Sequence, residues 1–138
     1  MMADCVFCKI VAKQIPATVV HEDEHTLAFM DIGQVNPGHV LVAVKKHAEN
    51  IFALDDAQAA AVFRAAATVA RAIRGAFEPP GLSVYQANGA AAGQTVMHLH
   101  IHLVPRHDGD GMALAWPVKN PPRERLTEYA DKIRARLG

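Results

Sequence analysis

The sequence predicts an α+β domain in which helices pack on an antiparallel sheet. Three observations predict this class: five short stretches patterned like strands, two stretches with a helical apolar face, and hairpin-like spacing between strands. Of the 138 residues, 51% are hydrophobic and 20% are charged, which is typical of a globular chain. We therefore interpret residues 1–138 as a single domain.

The first three predicted strands are Thr18–His21, Thr26–Met30 and Val40–Val44. The acidic turn Glu22-Asp23-Glu24 separates the first two and predicts a hairpin. Asn36-Pro37-Gly38 is a strong turn signal and precedes the third strand.

The turn of this hairpin also contains a misleading motif. His21-Glu22-Asp23-Glu24-His25 matches the H-E-x-x-H string of zinc proteases. That motif needs a helix to bring both histidines onto one face, whereas the flanking residues predict strands. We therefore reject the protease interpretation.

Two helices are predicted. Asp55 and Gln58 form a candidate capping box at the start of a helix from Asp55 to Phe77, and Gly75 with Pro79-Pro80 is expected to end it. Its predicted apolar face consists of Ala59, Val62, Phe63, Ala66, Val69, Ala70 and Ile73. The second helix begins after Pro121-Pro122, and its predicted face consists of Leu126, Tyr129, Ala130, Ile133 and Leu137.

The last two predicted strands are Leu82–Ala87 and Met97–Val104. The fifth strand alternates strictly, so its two faces differ: Leu99, Ile101 and Leu103 point to the core, and His98, His100 and His102 point the other way. Neighbours on one face of a strand are roughly 7 Å apart. Three imidazoles on one surface suit the binding of an anion, the binding of a metal, or nucleophilic catalysis.

A glycine-rich loop, Asn88-Gly89-Ala90-Ala91-Ala92-Gly93-Gln94-Thr95, precedes the histidine strand. Its glycines would let backbone N–H groups approach an anion, and Asn88, Gln94 and Thr95 add side-chain donors. The loop is not a P-loop, because the glycine spacing is one residue short and glutamine stands in place of lysine. Phosphate binding is favoured beside the histidines, and a flexible connection is the alternative.

Cys5-Val6-Phe7-Cys8 is a C-x-x-C motif. A redox pair of the thioredoxin type follows a strand, and only four residues precede Cys5. The two thiolates supply half of a tetrahedral zinc site. A pair of reduced thiols is the alternative.

Composition excludes several function classes. The 14 basic and 14 acidic residues cancel, which argues against a nucleic-acid partner. No apolar run approaches 18 residues and Met1-Met2-Ala3-Asp4 lacks signal-peptide features, so we expect a cytoplasmic protein that does not bind membranes. The single serine, Ser83, lies in a predicted strand, which disfavours serine-hydrolase chemistry.

Taken together, these segments resemble the histidine triad family, most closely its Hint-like branch. The matching motifs are His98-x-His100-x-His102, Phe29-Met30-Asp31-Ile32, Pro37-Gly38-His39, Lys45-Lys46-His47 and Asn88…Gly93-Gln94-Thr95. The resemblance covers roughly residues 4–105. It implies a five-stranded antiparallel sheet with two main helices, and a homodimer that pairs through the helix 55–77.

The resemblance also implies an activity. Family members hydrolyse nucleotides substituted on the α-phosphate, including purine nucleoside phosphoramidates and aminoacyl-adenylates. His100 would attack the α-phosphorus to form a nucleotidyl-histidine, and water would then release a nucleoside monophosphate. The other catalytic residues implied are His102, His39 and Thr95. The implied nucleotide contacts are Asp31, Asn88, Gln94 and Thr95, together with an apolar slot for the base formed by Val6, Phe7, Ile10, Phe29, Ile32 and Leu41.

Some family members carry a structural zinc ion, and the matching ligands here are Cys5, Cys8, His47 and His98. The tail from about residue 106 to the end follows no family pattern, and Trp116 receives no role. Two alternative functions stay open: a dinucleoside polyphosphate hydrolase, and a non-catalytic protein that binds nucleotides or zinc.

Overall fold

The computed structural model describes residues 4–113 and 115–138. It confirms the predicted fold class, because five antiparallel strands form one sheet in the order β1-β2-β3-β5-β4. In chain order the strands are β1 (Val19–Glu22), β2 (Thr26–Met30), β3 (Val40–Val44), β4 (Gly81–Tyr85) and β5 (His100–Arg106). Strands β2 and β3 have the predicted bounds, and β1 and β4 are shifted by one or two residues.

The hairpin between β1 and β2 forms as predicted. The N–H of Asp23 donates to the carbonyl of Thr26 over 3.0 Å, and the Asp23 carboxylate accepts the N–H groups of His25 and Thr26. The H-E-x-x-H string therefore lies on a strand end and a turn, as the sequence indicated.

Within the described part of the chain, three α-helices accompany the sheet: α1 (Val6–Val11), α2 (Asp56–Phe77) and α3 (Arg123–Arg134). The sequence analysis missed α1, which is only six residues long and starts with the Cys5 sulfur accepting the N–H of Cys8. The capping box of α2 is confirmed: the Asp55 carboxylate accepts the N–H of Gln58 over 2.8 Å, and the Gln58 side-chain oxygen accepts the N–H of Asp55 over 3.1 Å.

Helix α2 differs from prediction in two respects. Gly75 does not help to end it, because glycine retains its N–H and the helix continues to Phe77, where Glu78 takes a left-handed conformation. Phe63, predicted to face inward, is 64% exposed, and Ala59, on the same predicted face, is exposed as well. The buried face consists of Gln58, Ala61, Val62, Ala65, Ala66, Val69 and Ile73. In a run this rich in alanine, periodicity does not define the apolar stripe uniquely, and contact with the sheet selects it.

The sheet is covered on both faces. One core lies between the sheet and α2, and its members include Val42, Val69 and Leu103. The second core contains α1 residues Phe7 and Ile10 against Phe29 and Leu41. All five residues of β3 are buried because this strand lies between the two cores.

Helix α3 forms close to its predicted bounds, but it does not pack as expected. None of its residues is buried, and Leu126, Tyr129 and Ile133 are each at least half exposed. The expectation that both main helices cover the sheet is therefore wrong for α3. Among the described residues, no helix has the length and apolar content needed to cross a membrane.

Candidate functional site

The predicted row of three histidines divides into two environments. Strand β5 begins at His100, three residues later than the predicted start at Met97, because the N–H of Leu99 donates to the carbonyl of Ala48 beyond the end of β3. His98 precedes the strand and is fully buried, whereas His100 and His102 are partly exposed. The Phe7 ring packs against both His98 and His100, with ring centres 5.9 and 4.9 Å apart, so His98 lies on the same side of the sheet as His100, as the alternation predicted. It differs in being fully buried and in lying outside the strand.

His100 is held in one tautomer by the backbone. Its Nδ1 lies 2.7 Å from the carbonyl oxygen of His98. A carbonyl only accepts, so Nδ1 carries the proton and Nε2 of the neutral ring retains its lone pair. Burial lowers the pKa of His100, while the bond to the His98 carbonyl and the charge of Asp31 oppose the shift. The ring is therefore neutral near pH 7, with a nitrogen that can attack an electrophile.

The neighbouring His102 is held in the opposite tautomer through His39. The N–H of Val35 donates to Nδ1 of His39 over 3.3 Å, so the His39 proton lies on Nε2. That N–H donates to Nδ1 of His102 over 2.9 Å, which leaves Nε2 of His102 protonated. The Asp31 carboxylate lies 3.4 Å from Nε2 of His39 and 3.9 Å from Nδ1 of His102.

Burial is the main cause of a low pKa for His102, about 4, and the nearby His100 and His39 rings add to the effect against Asp31. The ring centres of His100 and His102 are 5.0 Å apart. The site therefore presents a nucleophilic nitrogen beside a neutral N–H donor. This combination suits attack on a centre whose oxygen gains negative charge.

The glycine-rich loop contains positive backbone φ angles at both of its glycines, Gly89 at 86° and Gly93 at 89°. Gln94 is buried within it. The two N–H groups of the Gln94 side chain donate to the carbonyls of Glu49 and Val96, and its oxygen accepts the N–H of Gly89. In this structure Gln94 therefore shapes the loop, and the expected side-chain donor for a phosphate is already occupied.

The two other polar residues of the loop are placed differently. The side-chain oxygen of Asn88 accepts the N–H of Ile51 over 2.8 Å, which ties the loop to the segment before α2. Thr95 is exposed and borders an open cleft that Cys5 and His47 also line.

The six residues of the implied base slot do not form one exposed surface. Four of them, Phe7, Ile10, Phe29 and Leu41, are core residues no more than 9% exposed. Val6 is 40% exposed and Ile32 is completely exposed. Only these two therefore offer substantial apolar surface to a ligand.

A second cluster brings together all four residues implied as zinc ligands. Nδ1 of His98 lies 3.3 Å from the Cys5 sulfur, 3.5 Å from the Cys8 sulfur and 3.2 Å from Nδ1 of His47. The Cys8 sulfur is also 3.4 Å from Nδ1 of His47. Because Nε2–H of His98 donates to the Val44 carbonyl over 2.6 Å, Nδ1 is left to face the sulfurs. Two sulfurs and two imidazole nitrogens are a donor set that fits a tetrahedral metal.

The structure also reveals an ion pair that the sequence analysis missed. Arg106, at the end of β5, makes a two-point contact with Asp110 at 2.8 and 3.1 Å. The same carboxylate accepts a bond from Asn36, which precedes His39 on the turn. The Arg106 guanidinium holds the pKa of Asp110 well below its usual range. The sequence signal that could have revealed this ion pair is the presence of two opposite charges four residues apart.

The fold, the His100–His102 pair and the cluster of four possible metal ligands define a class of protein. Its members are α+β proteins that carry paired imidazoles on an inner strand of an antiparallel sheet. Within that class the assignment is specific, because residues 12–109 match the model of the HIT domain. The chain belongs to the HIT, or histidine triad, family.

Curated relatives and solved structures support the same family assignment. The chain is 50% identical to Protein hit of Bacillus subtilis over 98% of this chain and 95% of that protein. It is 33% identical to the adenosine 5'-monophosphoramidase of Schizosaccharomyces pombe, over 96% of this chain and 98% of that one.

Among solved structures, a HIT family protein from Bacillus subtilis superposes with a TM-score of 0.93 at 45% identity, over 98% of both chains. A zinc-bound histidine triad family protein from Mycobacterium smegmatis gives a TM-score of 0.75 at 33% identity, over 97% of this chain and 95% of that one.

Proposed function

We propose that this protein is a nucleotide hydrolase that acts at the α-phosphate of substituted nucleotides, namely purine nucleoside phosphoramidates and aminoacyl-adenylates. The observation that carries the proposal is the pair of opposite tautomers, with a lone pair on Nε2 of His100 and a proton on Nε2 of His102. The name of the Schizosaccharomyces pombe relative supports the substrate class.

The proposed reaction has two steps. Nε2 of His100 attacks the α-phosphorus, the bond to the leaving group breaks, and an amine leaving group takes up a proton from water. Water then attacks the phosphorus of the nucleotidyl-histidine, which releases a nucleoside monophosphate and restores His100. The ring becomes cationic in the intermediate, and the His98 carbonyl at its Nδ1–H stabilises that charge.

The remaining groups position the substrate. Nε2–H of His102 donates to a phosphate oxygen, and His39 keeps His102 in the required tautomer. Asp31 accepts bonds from the ribose hydroxyls, and Thr95 and Asn88 contact the phosphate with the loop whose shape Gln94 maintains. Val6 and Ile32 contact the base, and the other four residues of the implied slot support them from the core.

The Cys5–Cys8–His47–His98 cluster is proposed to bind one structural zinc ion. The closeness of the four ligand atoms and the zinc-bound Mycobacterium smegmatis structure support this. Four protein ligands leave no open position, so the ion would stabilise the fold and would not act as a Lewis acid. We expect about one zinc per chain by elemental analysis and a much weaker affinity for zinc in Cys8→Ser; an unchanged affinity in that variant would contradict the assignment.

A homodimer through α2 is also proposed. Phe63 lies on the outer face of that helix and is 64% exposed, and Val84 on the edge strand β4 is 53% exposed. These apolar side chains are suited to cover each other between two copies of the chain.

The central test is intact mass spectrometry after rapid mixing with adenosine phosphoramidate and a non-acidic quench. We expect an adenylyl adduct that is absent in His100→Ala. The matched control is His25→Gln, which removes an exposed histidine of the β1–β2 turn and should keep the adduct. Absence of both adduct and AMP in the unmodified protein would refute the proposed activity.

A further inference from the structure

The metal-ligand cluster and His100 are connected through one peptide group, the one that joins His98 to Leu99. Its carbonyl accepts the Nδ1–H of His100 over 2.7 Å, and its N–H donates to the carbonyl of Ala48 over 2.7 Å. Both anchors adjoin cluster residues, since His98 is itself a ligand candidate and Ala48 follows His47. The direction of this carbonyl therefore depends on how firmly the His98 and His47 segments are held together.

The C-x-x-C turn reaches His100 by a second route. Phe7 lies between the two cysteines in α1 and is 7% exposed. Its ring packs edge-on against His100, with ring centres 4.9 Å apart and an interplanar angle of 80°, and against Phe29 at 5.3 Å. Any constraint on the two sulfurs is therefore passed to a side chain that touches His100.

We propose that Cys5, Cys8 and His47 are positioning residues for His100, acting through the His98 carbonyl and the Phe7 ring. The inference rests on the proposed role of His100 as nucleophile. When the four ligands share a zinc ion, the turn at Cys5–Cys8, the segment at His47 and the peptide after His98 are joined at one point. The joined segments keep His100 in its Nδ1–H tautomer, with Nε2 available.

Without that constraint, the His98 carbonyl can turn away from His100. The ring then gains access to the other tautomer, in which Nε2 carries the proton and cannot attack phosphorus. A purely structural zinc makes a different prediction: removal lowers the free energy of unfolding but does not change the His100 tautomer in chains that remain folded.

The test reads the tautomer directly. Nitrogen-15 correlation spectra of the imidazole groups show which ring nitrogen of His100 is protonated, and the spectrum of His100→Gln assigns the signals. Spectra are recorded for the zinc-loaded chain, after chelation, and after zinc is restored. We expect one Nδ1–H tautomer with zinc, a mixture without it, and recovery on reloading. His25→Gln is the matched control and should behave like the unmodified chain.

The same three samples are mixed with adenosine phosphoramidate in a single turnover. Loss of supporting contacts around a metal site typically costs about 10- to 100-fold, and we expect adduct formation to slow by about that factor after chelation. Phe7→Leu, which keeps all four ligands, should slow adduct formation while its zinc content stays unchanged.

Three outcomes decide the proposal. A folded metal-free chain with an unchanged His100 tautomer overturns it, as does a changed tautomer with an unchanged rate of adduct formation. If chelation unfolds the chain, zinc is instead titrated into the Cys5→Ser variant, which keeps three ligands. The fraction of the Nδ1–H tautomer of His100 and the rate of adduct formation must then rise together as zinc is added. A tautomer that follows zinc in a chain that never forms the adduct refutes the proposed function, but it confirms that the cluster positions His100.

Discussion

Acid should destabilise this protein through His102, whose pKa is lowered from 6.5 to about 4. Burial is the main cause, and the rings of His100 and His39 add to it. The Asp31 carboxylate opposes the shift, and the uncharged face of the site is completed by the Tyr85 ring, whose centre lies 5.7 Å from that of His102. Because the folded pKa lies below that of the unfolded chain, protons bind the unfolded chain first as the pH falls. Stability is therefore lost from about pH 6.5 down to about pH 4.

The magnitude follows from the two pKa values. The difference between 6.5 and about 4 corresponds to about 3 kcal/mol in the free energy of unfolding. The His102 side chain is only 25% exposed, so water screens this effect little. The structural reason is local: a proton added to Nδ1 of His102 would face the Nε2–H of His39 across 2.9 Å. One hydrogen bond is then replaced by two opposed donors.

The assay is urea unfolding at several pH values between 7 and 4. His102→Gln keeps a neutral acceptor for His39, and we expect its stability to fall less over this range, by up to about 3 kcal/mol. The comparison cancels the contributions of the other histidines and of any metal released by acid. His25→Gln should behave like the unmodified chain. Parallel pH profiles for the His102→Gln and unmodified chains would refute the reasoning.

Two further predictions concern the turn before His39 and the proposed dimer. Gly38 has a φ of 98°, and an added Cβ would lie 2.9 Å from the Phe77 ring and 3.2 Å from Pro105. Gly38→Ala should therefore lower the free energy of unfolding, measured in urea, by about 2–4 kcal/mol. The matched control is Gly111→Ala, because Gly111 has a φ of 81° but no neighbouring atom that an added Cβ would meet. This variant should lose only the stability that corresponds to backbone strain; an equal loss of unfolding free energy in both variants would disprove the packing argument. Phe63→Glu should convert the dimer to monomers in light scattering without changing the helix content, whereas an unchanged mass would place the interface elsewhere.

The site combines groups from distant parts of the chain. His39 follows the Asn36–Gly38 turn, Cys5 and Cys8 flank the start of α1, and His100 and His102 come from β5. The Arg106–Asp110 pair bonds to Asn36 and so ties the end of β5 to the turn that carries His39. Substitutions at this pair are therefore expected to affect the site without contacting a ligand.

Local patterns in the sequence were sufficient for much of the fold. The alternation in β5, the capping box at Asp55 and the turn before β3 depend on neighbouring residues, so they could be identified without a tertiary structure. The family resemblance further indicated that Cys5, Cys8, His47 and His98 belong together, and the structure places them within reach of one ion.

Long-range contacts decided the rest. The burial of His98 against Val44, the bond from the Gln94 side chain to the Glu49 carbonyl, and the choice of which side of α2 is buried all depend on partners many residues away. The tautomer of His102 is the clearest case, because its hydrogen bond to His39, 63 residues away in the chain, determines it. The tautomer of His100 is set locally, by the carbonyl of His98. The sequence by itself determined which chemical groups are present; only the tertiary structure decided where the proton of His102 lies, since a hydrogen bond between distant segments sets that choice.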